Sequence, residues 1–190
     1  KTFAMAKSAY ADYLPAATDD ATALAAKVVK FNGYNWDIIE DNSTSATAGT
    51  VTLFAADDGF GLSKFSDSYS NAYSSSKIKA ALDAMTVEDG DFANVASAIV
   101  STALDDVTVP RAKLYLLSTS EAQNLNQIIL NYDFPGSASK GAWWLRSPGT
   151  NSDYASCVYG DEGRIDGTGY NIREACGVRP ALKLDLSKAE

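Results

Sequence analysis

Histidine is absent from the 190 residues of this chain. It is the side chain that enzymes use most often as a general base, and it is the commonest metal ligand in proteins. Without it the chain cannot by itself form a Ser–His–Asp or Cys–His catalytic group, nor a zinc site built from cysteine and histidine. The absence of histidine therefore excludes these sites, and for the chain as a whole we expect a protein that is not an enzyme and that holds no cofactor or metal.

Positive charge is also scarce, because 16 lysines and arginines stand against 24 aspartates and glutamates, for a formal net charge of −8. Binding to nucleic acid or to an anionic membrane surface requires clustered positive side chains. No apolar run approaches the ~20 residues that a membrane-spanning helix needs. The sequence therefore predicts no nucleic-acid partner and no insertion of this chain into a membrane.

The length fits one domain with a short extra arm. Residues 1–26 are alanine-rich, their apolar positions have the spacing of one helix face, and Pro15 ends that pattern. We therefore expect an N-terminal helical arm over residues 1–26 and one domain over residues 27–190.

Local patterns within the domain predict an α+β protein with a small antiparallel or mixed sheet and two or three helices. Helices are predicted over residues 77–85, 92–104 and 119–129, the first capped by Ser76 and the last opened by a capping box of Ser118 and Glu121. Strands are predicted over residues 28–31, 34–39, 50–55, 107–109 and 113–117, with a hairpin turn at Asn32-Gly33, a polar loop over 41–49 and an irregular loop over 57–76.

The last quarter of the chain has a different composition. Residues 141–182 contain 7 of the 13 glycines and two of the three tryptophans. Short apolar pieces alternate there with Gly, Asn, Asp, Ser and Thr, which favours short strands and turns in a long irregular C-terminal region. Tyrosine with small polar residues is also typical of adaptable binding loops.

Two strings bound this region, GAWWLRSPG at residues 141–149 and GVRPAL at residues 177–182. In this order they resemble a bacterial and phage domain family of C-type-lectin-like fold, which includes the variable proteins of diversity-generating retroelements. The resemblance extends upstream to residues 34–39, 77–82 and 113–121, and covers the chain from about residue 27 onward.

The resemblance implies a C-type-lectin-like fold and a ligand-binding role without catalysis. In retroelement variable proteins, the segment between the two strings is diversified at adenines and displays an exposed face that recognises protein or glycan targets. Such a domain is expected outside the cell, on a cell surface or on a phage particle. The alternative is a structural surface or phage-tail module of the same fold without diversification.

The segment between the two strings supplies the candidate site. Within residues 150–176, a solvated loop surface and direct ligand contact are both open alternatives for the polar and aromatic side chains. The predicted ligand-binding residues are Trp144, Asn151, Asp153, Tyr154, Ser156, Tyr159, Asp161, Arg164, Asp166, Thr168, Tyr170, Asn171 and Arg173.

Four residues of the bounding strings have predictable roles. Adjacent residues of a strand point to opposite faces, so Trp143 and Trp144 predict one tryptophan in the core and one half-exposed, with ligand contact by one of them as the alternative. Arg146 and Arg179 stand in apolar strings, where an arginine needs a carboxylate or backbone carbonyls as partners. Both arginines are therefore predicted to be structural anchors.

The two cysteines, Cys157 and Cys176, leave three alternatives open: a disulfide formed in an oxidising compartment, two free thiols, or a reactive pair. The formylglycine-generating enzyme, a sulfatase activator, shares the broad fold and uses a cysteine pair. The strings around its active site are not matched here, so a cysteine enzyme of that kind is the remote alternative.

Acidic doublets raise the question of calcium. None has the spacing of an EF-hand loop, and the calcium-binding triplets of C-type lectins are absent, so solvated surface is the expected role. The doublets are Asp19-Asp20, Asp57-Asp58, Asp105-Asp106 and Asp161-Glu162.

Overall fold

Two five-stranded sheets and four short α-helices form the framework of residues 10–189, which are the residues that the computed structural model describes. The strands are β1 (Val29–Phe31), β2 (Tyr34–Ser45), β3 (Ala48–Ala55), β4 (Leu62–Lys64), β5 (Thr102–Ala103), β6 (Arg111–Ala112), β7 (Leu114–Leu116), β8 (Trp143–Pro148), β9 (Tyr154–Tyr159), β10 (Arg164–Asn171), β11 (Ala175–Gly177) and β12 (Pro180–Asp185). The α-helices are α1 (Ala21–Lys27), α2 (Lys77–Ala84), α3 (Thr119–Ala122) and α4 (Gln127–Leu130), and 3-10 helices cover Tyr10–Tyr13, Tyr73–Ser75, Ala93–Val95 and Leu186–Lys188. The α+β class is confirmed.

The first sheet is antiparallel throughout and has the order β1-β2-β3-β12-β7. The last strand of the chain lies inside this sheet, because Lys183 of β12 pairs with Thr52 of β3 while Leu182 pairs with Leu114 of β7. The GVRPAL string therefore ends in the middle of the scaffold rather than at its surface.

The second sheet has the order β10-β9-β8-β11-β4. The pair β8–β11 is parallel, with Gly177 opposite Trp143, and the other pairs are antiparallel. β5 and β6 form a separate two-stranded sheet. The predicted short strands of the C-terminal region are therefore present, but the region is less irregular than predicted, because five strands occupy much of residues 143–185.

One continuous apolar core connects the sheets. The ring of Phe54 on β3 lies 5.7 Å from that of Trp143 on β8. α2 contacts both β4 and β7, and it buries the Ile78 and Leu82 side chains of its apolar stripe. Burial of such side chains is the main favourable contribution to folding.

The predictions with a local signal are confirmed. Asn32 and Gly33 take positive φ angles of 49° and 82° between β1 and β2. The Ser76 hydroxyl caps α2 by accepting from the Lys79 N–H, and both halves of the Ser118–Glu121 capping box are formed.

Four predicted elements are wrong. Residues 41–49 belong mainly to β2 and β3 instead of a polar loop, and residues 107–109 form no strand. Residues 92–104 were predicted as a helix but form only a 3-10 helix followed by turns and β5. The helix over 119–129 is divided into α3 and α4, because the Asn126 side chain accepts from the Ile128 N–H and starts a new helix.

Residues 1–9 of the predicted arm lie outside the described residues. From Tyr10 onward the segment packs on the domain, since Tyr10 and Leu24 are buried and the Asn126 amide donates to the Ala16 carbonyl at 2.6 Å. Among the described residues, none of the helices has the length and apolar character required to cross a membrane.

Candidate functional site

The segment between the two strings folds as the β9–β10 hairpin, with β10 at the edge of the second sheet. Its tip is fixed on α4, because the Gln127 amide donates to the carbonyls of Gly163 at 3.1 Å and Glu162 at 3.4 Å. Gly163 has a φ of +61°, which residues other than glycine rarely adopt. A Cβ added there would also meet the side chains of Gln127 and Asn131. The hairpin is therefore held in one position by its own turn.

Beneath the hairpin, the side chains are fully packed. Trp144 and Cys157 pair across β8 and β9 and have no exposed surface, and the Trp144 indole N–H donates to the Ser63 carbonyl at 2.8 Å. The prediction that one tryptophan is half-exposed is therefore wrong. Phe65 and Tyr170 lie over Trp144, with their ring centroids 5.5 and 6.5 Å from that of the tryptophan. Ser156 is also buried and donates to the Pro148 carbonyl. Neither Trp144 nor Ser156 offers a ligand any surface in this structure.

Near the tip of the hairpin, one group of side chains surrounds Tyr159, and we call it the Tyr159 cluster (Lys140, Tyr159, Glu162, Arg164 and Tyr170). The Arg164 guanidinium lies 4.7 Å and the Lys140 ammonium 5.6 Å from the centroid of the Tyr159 ring. The ring of Tyr170 meets the same tyrosine edge-on at 6.4 Å. Burial raises the pKa of Tyr159 to about 12, so its phenol is a neutral donor at physiological pH.

Ion pairs hold the exposed charges of this cluster in place. Glu162 pairs with Lys140 at 3.0 Å and with Arg164 at 3.2 Å, while Arg164 also reaches Asp166 at 3.2 Å. The hydrogen bonds from Lys140 and Arg164 lower the pKa of Glu162. Exposed pairs of this kind add little to stability, but a network of them orients the arginine.

A second group lies at the other end of the hairpin, and we call it the Tyr69 cluster (Tyr69, Asn71, Asp153, Tyr154 and Arg173). The Arg173 guanidinium stacks 4.5 Å from the centroid of Tyr69, which is 72% exposed, and lies 3.9 Å from an Asp153 oxygen. The Asn71 amide donates to the carbonyls of Asn151 and Tyr154, both at 2.9 Å. Tyr154 itself is 36% exposed.

Tyr69, Asn71 and Lys140 are candidate site residues that sequence reasoning missed. Tyr69 and Asn71 lie in the loop over 57–76, where tyrosine, serine and aspartate recur as they do between the two strings. That shared composition is a signal that could have identified the loop. Lys140 carried no local signal, because only the folded chain brings it to Tyr159.

Several predicted site residues stabilise the local backbone instead of presenting free polar groups. An Asp166 oxygen accepts from the Thr168 N–H at 2.8 Å, from the Thr168 hydroxyl at 2.5 Å and from the Gly169 N–H at 3.3 Å. Although burial opposes it, these bonds lower the pKa of Asp166. Asn151 and Asn171 form similar turns by accepting from the N–H groups of Asp153 and Arg173.

Eleven of the thirteen predicted site residues lie at least partly at the surface, and six of them belong to the Tyr159 cluster or the Tyr69 cluster. The exposed members are Asn151, Tyr154, Asp161, Arg164 and Thr168, and the half-buried members are Asp153, Tyr159, Asp166, Tyr170, Asn171 and Arg173.

The two arginines of the bounding strings are buried among fixed partners. Arg146 forms two hydrogen bonds with the Glu121 carboxylate, at 2.5 and 3.0 Å, and a third with the Leu116 carbonyl at 2.8 Å. Arg179 donates to the carbonyls of Ala55 and Ile129 at 3.0 and 2.8 Å. These are the partner types that their apolar surroundings predict.

Both cysteines are free and buried. Burial raises the pKa of Cys157 to about 12 and that of Cys176 to about 11, so both thiols are protonated at neutral pH. A protonated, buried thiol is a poor nucleophile. Within residues 10–189, no group of three or more His, Cys, Asp or Glu side chains is placed to hold a metal ion.

A family model described as a domain of unknown function (DUF6273) matches residues 41–186 of the chain. The match begins within β2 and ends after β12, so it includes the whole β9–β10 hairpin and the buried strands on both sides of it. No curated protein matches the chain, and no solved structure matches it.

Proposed function

The chain belongs to the DUF6273 family, and we propose that it is a recognition module that binds a protein or glycan with the exposed face of its β9–β10 hairpin. One observation carries the proposal. The hairpin presents tyrosines and arginines at its surface, while the strands, turn and buried layer beneath them are fixed by packing and hydrogen bonds.

The chemistry of the surface suits recognition. Tyrosine and arginine dominate binding energy at protein interfaces, because they bury much area and also form hydrogen bonds. Tyr69 and Arg173 stack on each other at one end, and Tyr159 and Arg164 do so at the other. Each stack holds its arginine in one orientation, so less side-chain entropy is lost when a ligand binds.

The proposal includes a C-type-lectin-like fold and a place among the variable proteins of diversity-generating retroelements, acting on a cell surface or phage particle. What supports it is the position of the two strings. WWLRSP forms β8 and is buried over residues 143–146, and GVRPAL, which runs from the end of β11 into β12, is buried throughout, whereas the segment between them carries the exposed side chains. This is the division of scaffold and variable face that the resemblance implies.

A binding experiment tests the recognition role. Arrays of glycans and of extracellular proteins are probed with the full chain and with two paired variants, Tyr69→Ala with Arg173→Ala and Tyr159→Ala with Arg164→Ala. The matched control pair is Lys30→Ala with Val87→Ala, since both side chains are exposed away from the hairpin. Each hairpin pair is expected to weaken binding by about tenfold or more, the effect of losing an interface hot spot.

The outcomes separate the candidates. The proposal is supported if either hairpin double variant loses binding while the control double variant keeps it. Circular dichroism must show that each variant is folded. Binding that survives both hairpin pairs places the site elsewhere. An empty result on both arrays favours a structural module that decorates a larger surface protein.

Diversification is tested separately by sequencing the DNA that flanks the coding region. A near-copy of the stretch encoding residues 141–182, mismatched mainly at adenines and accompanied by a reverse-transcriptase gene, is the expected finding. A complete genome that lacks both would contradict this part of the proposal and leave the binding role intact.

A further inference from the structure

A cavity of about 370 Å³ lies between α2, β4 and Tyr34 at the start of β2. None of the residues that line it belongs to the β9–β10 hairpin. The volume falls within the range of roughly 300–1,000 Å³ that is usual for small-molecule sites. The cavity is therefore a candidate ligand site that is separate from the hairpin.

Most of the side chains that line this cavity are apolar, and several of them are open to solvent. Leu62 of β4 is 41% exposed, and Phe60 and Met85, which line the same cavity, are half-buried. Single exposed apolar side chains are common, but a group of them around a concave surface is typical of a binding site. An apolar ring or chain that covered these three side chains would gain free energy by removing them from water.

Asp91 is the one charged residue in the lining, which contains no lysine or arginine. Its side chain is exposed, and it forms no ion pair with any residue of 10–189. The Tyr34 hydroxyl donates to one oxygen of the carboxylate at 3.2 Å, and the Asn32 amide donates to the backbone carbonyl of Asp91 at 2.9 Å. The cavity thus presents one oriented negative charge that the described part of the chain does not neutralise.

A closed loop holds this carboxylate beside the apolar wall. Met85 follows the end of α2, and its carbonyl accepts from the Phe92 N–H at 2.7 Å, which joins the two ends of the loop. Phe92 is fully buried, and its ring stacks 5.3 Å from that of Tyr34. Because Asp91 is the next residue in the chain, the carboxylate and the Met85 side chain are positioned before a ligand arrives, which lowers the entropy cost of binding.

The lining distinguishes among classes of ligand. Asp91 repels an anion, and a neutral apolar molecule would remove water from the carboxylate without replacing its hydrogen bonds. A metal ion needs several oxygen ligands, and residues 10–189 place no group of three or more candidate ligands to hold one. An organic ammonium fits, because its N–H groups bond to the carboxylate while its apolar part covers the wall.

We propose that this cavity binds a small amine of the arylalkylamine class, with one protonated amino group and an aromatic body. The ammonium pairs with Asp91 beside the Tyr34 hydroxyl, and the ring packs on Phe60, Leu62 and Met85. The stacked rings of Tyr34 and Phe60, 4.3 Å apart, favour an aromatic body, since aromatic rings pack on one another in offset or edge-on geometry. The site does not depend on the recognition role of the hairpin.

The test uses the full chain, ¹⁵N-labelled, titrated with molecules of similar shape that differ in charge. Phenethylamine is the cationic probe, 2-phenylethanol the neutral probe and 3-phenylpropionate the anionic probe. Ethylamine has the charge without the ring, and Nα-acetyl-lysine methylamide represents a lysine side chain of a partner protein. Phenethylamine is expected to give saturable shifts of the backbone amides of Leu62, Met85 and Asp91, and to bind about tenfold more tightly than each of the other four probes.

Two variants locate the contacts. Asp91→Asn removes the charge, and it is expected to weaken phenethylamine binding by about tenfold while leaving the affinity for 2-phenylethanol unchanged. Leu62→Ala removes apolar surface and is expected to weaken binding of both ligands by about fivefold. Asp89→Asn is the matched control, because Asp89 is exposed on the same loop and does not line the cavity.

Four results would overturn the proposal: no saturable shift with phenethylamine, equal or tighter binding of any other probe, the same affinity in Asp91→Asn as in Asp89→Asn, or shifts confined to the hairpin. Unchanged binding of both ligands by Leu62→Ala would contradict the contact with the apolar wall and would also overturn it. Circular dichroism checks that each variant is folded, and if one of the two does not fold, the affinity of the other decides.

Discussion

Arg179 shows how much of this fold depends on single residues. Its guanidinium is 1% exposed and lies 4.6–4.7 Å from the ring centroids of Phe54, Tyr132 and Trp143, between two backbone carbonyls. Stacking on rings and a planar set of donors are properties of arginine that lysine lacks. Burial lowers the pKa of Arg179 to about 10, and the negative charge of Asp37 opposes that shift.

Asp37 is the other half of this buried arrangement, and it gives the protein a pH dependence. Burial raises the pKa of Asp37 to about 6, against an ordinary value of 3.8, although the charge of Arg179 opposes the shift. A raised carboxyl pKa means that the folded state binds the proton more tightly, so stability is lost as the pH rises through the folded pKa. We predict that the free energy of unfolding falls by about 2 kcal/mol between pH 4 and 6 through this group.

Urea unfolding at intervals between pH 4 and 7 measures this effect. Asp37→Asn should lose the decline, and the difference in unfolding free energy between the two proteins should fall between the ordinary pKa of 3.8 and the folded pKa of about 6, and level off above it. With no histidine in the chain, no imidazole titrates across the same range. Parallel pH profiles for the two proteins would show that Asp37 titrates normally.

Residue identity alone predicted part of the site. The surroundings of Arg146 and Arg179 in sequence indicate buried, paired arginines, and both are buried and paired. The burial of Trp144 had no such signal, because Phe65 and Tyr170, which cover it, lie 79 and 26 residues away along the chain. Whether a tryptophan is covered by residues distant in sequence depends on the tertiary structure, and the local sequence carries no signal for it.

At the scale of the element, two glycines of the β9–β10 hairpin allow a matched test of how strongly the turn fixes its tip. Gly163 has a φ of +61°, and an added Cβ would meet two side chains, whereas Gly167 has an ordinary φ and open space around it. We predict that Gly163→Ala lowers the free energy of unfolding by about 1–2 kcal/mol from backbone strain alone. Gly167→Ala should stay within about 0.5 kcal/mol of the original.

Thermal or urea unfolding of the two glycine variants gives the comparison. Gly163→Ala should also bind ligand more weakly than Gly167→Ala, since Gly163 holds the hairpin tip on Gln127. Equal stabilities would mean that the tip can shift without loss, which would remove the fixed platform on which the recognition role depends.

Elements with a local chemical signal were predictable, and elements defined by their neighbours were not. The Asn32-Gly33 turn and the Ser118–Glu121 box are set by backbone angles and side-chain bonds within a few residues. Residues 41–45 extend β2 with polar side chains, so no apolar alternation marks the strand. In the pattern over 92–104, Phe92, Val95 and Ile99 are buried, but apolar spacing could not distinguish turns from a helix.

At the scale of the whole molecule, the reactivity of the two buried thiols measures how readily the protein unfolds. Cys157 and Cys176 lie on β9 and β11 with no exposed surface, and burial raises both pKa values above 10. We predict that a thiol reagent such as Ellman's reagent labels neither cysteine in the native protein within minutes and labels both after unfolding in urea.

The count of thiols in urea without reductant decides among the cysteine alternatives. Two thiols are expected for free cysteines, and none would indicate a disulfide. Fast labelling of the native protein would show that the second sheet opens far more readily than its packing implies.

The place of β12 between β3 and β7 has a consequence for biosynthesis. A ribosome makes both neighbours of this strand before the strand itself, and the hairpin is translated in the interval. A chain that stops before Pro180 lacks the whole of β12 and leaves a gap in the first sheet with two unpaired edges. Nonsense changes in the exposed segment therefore remove the strand that joins β3 to β7, and we expect such truncated chains not to fold.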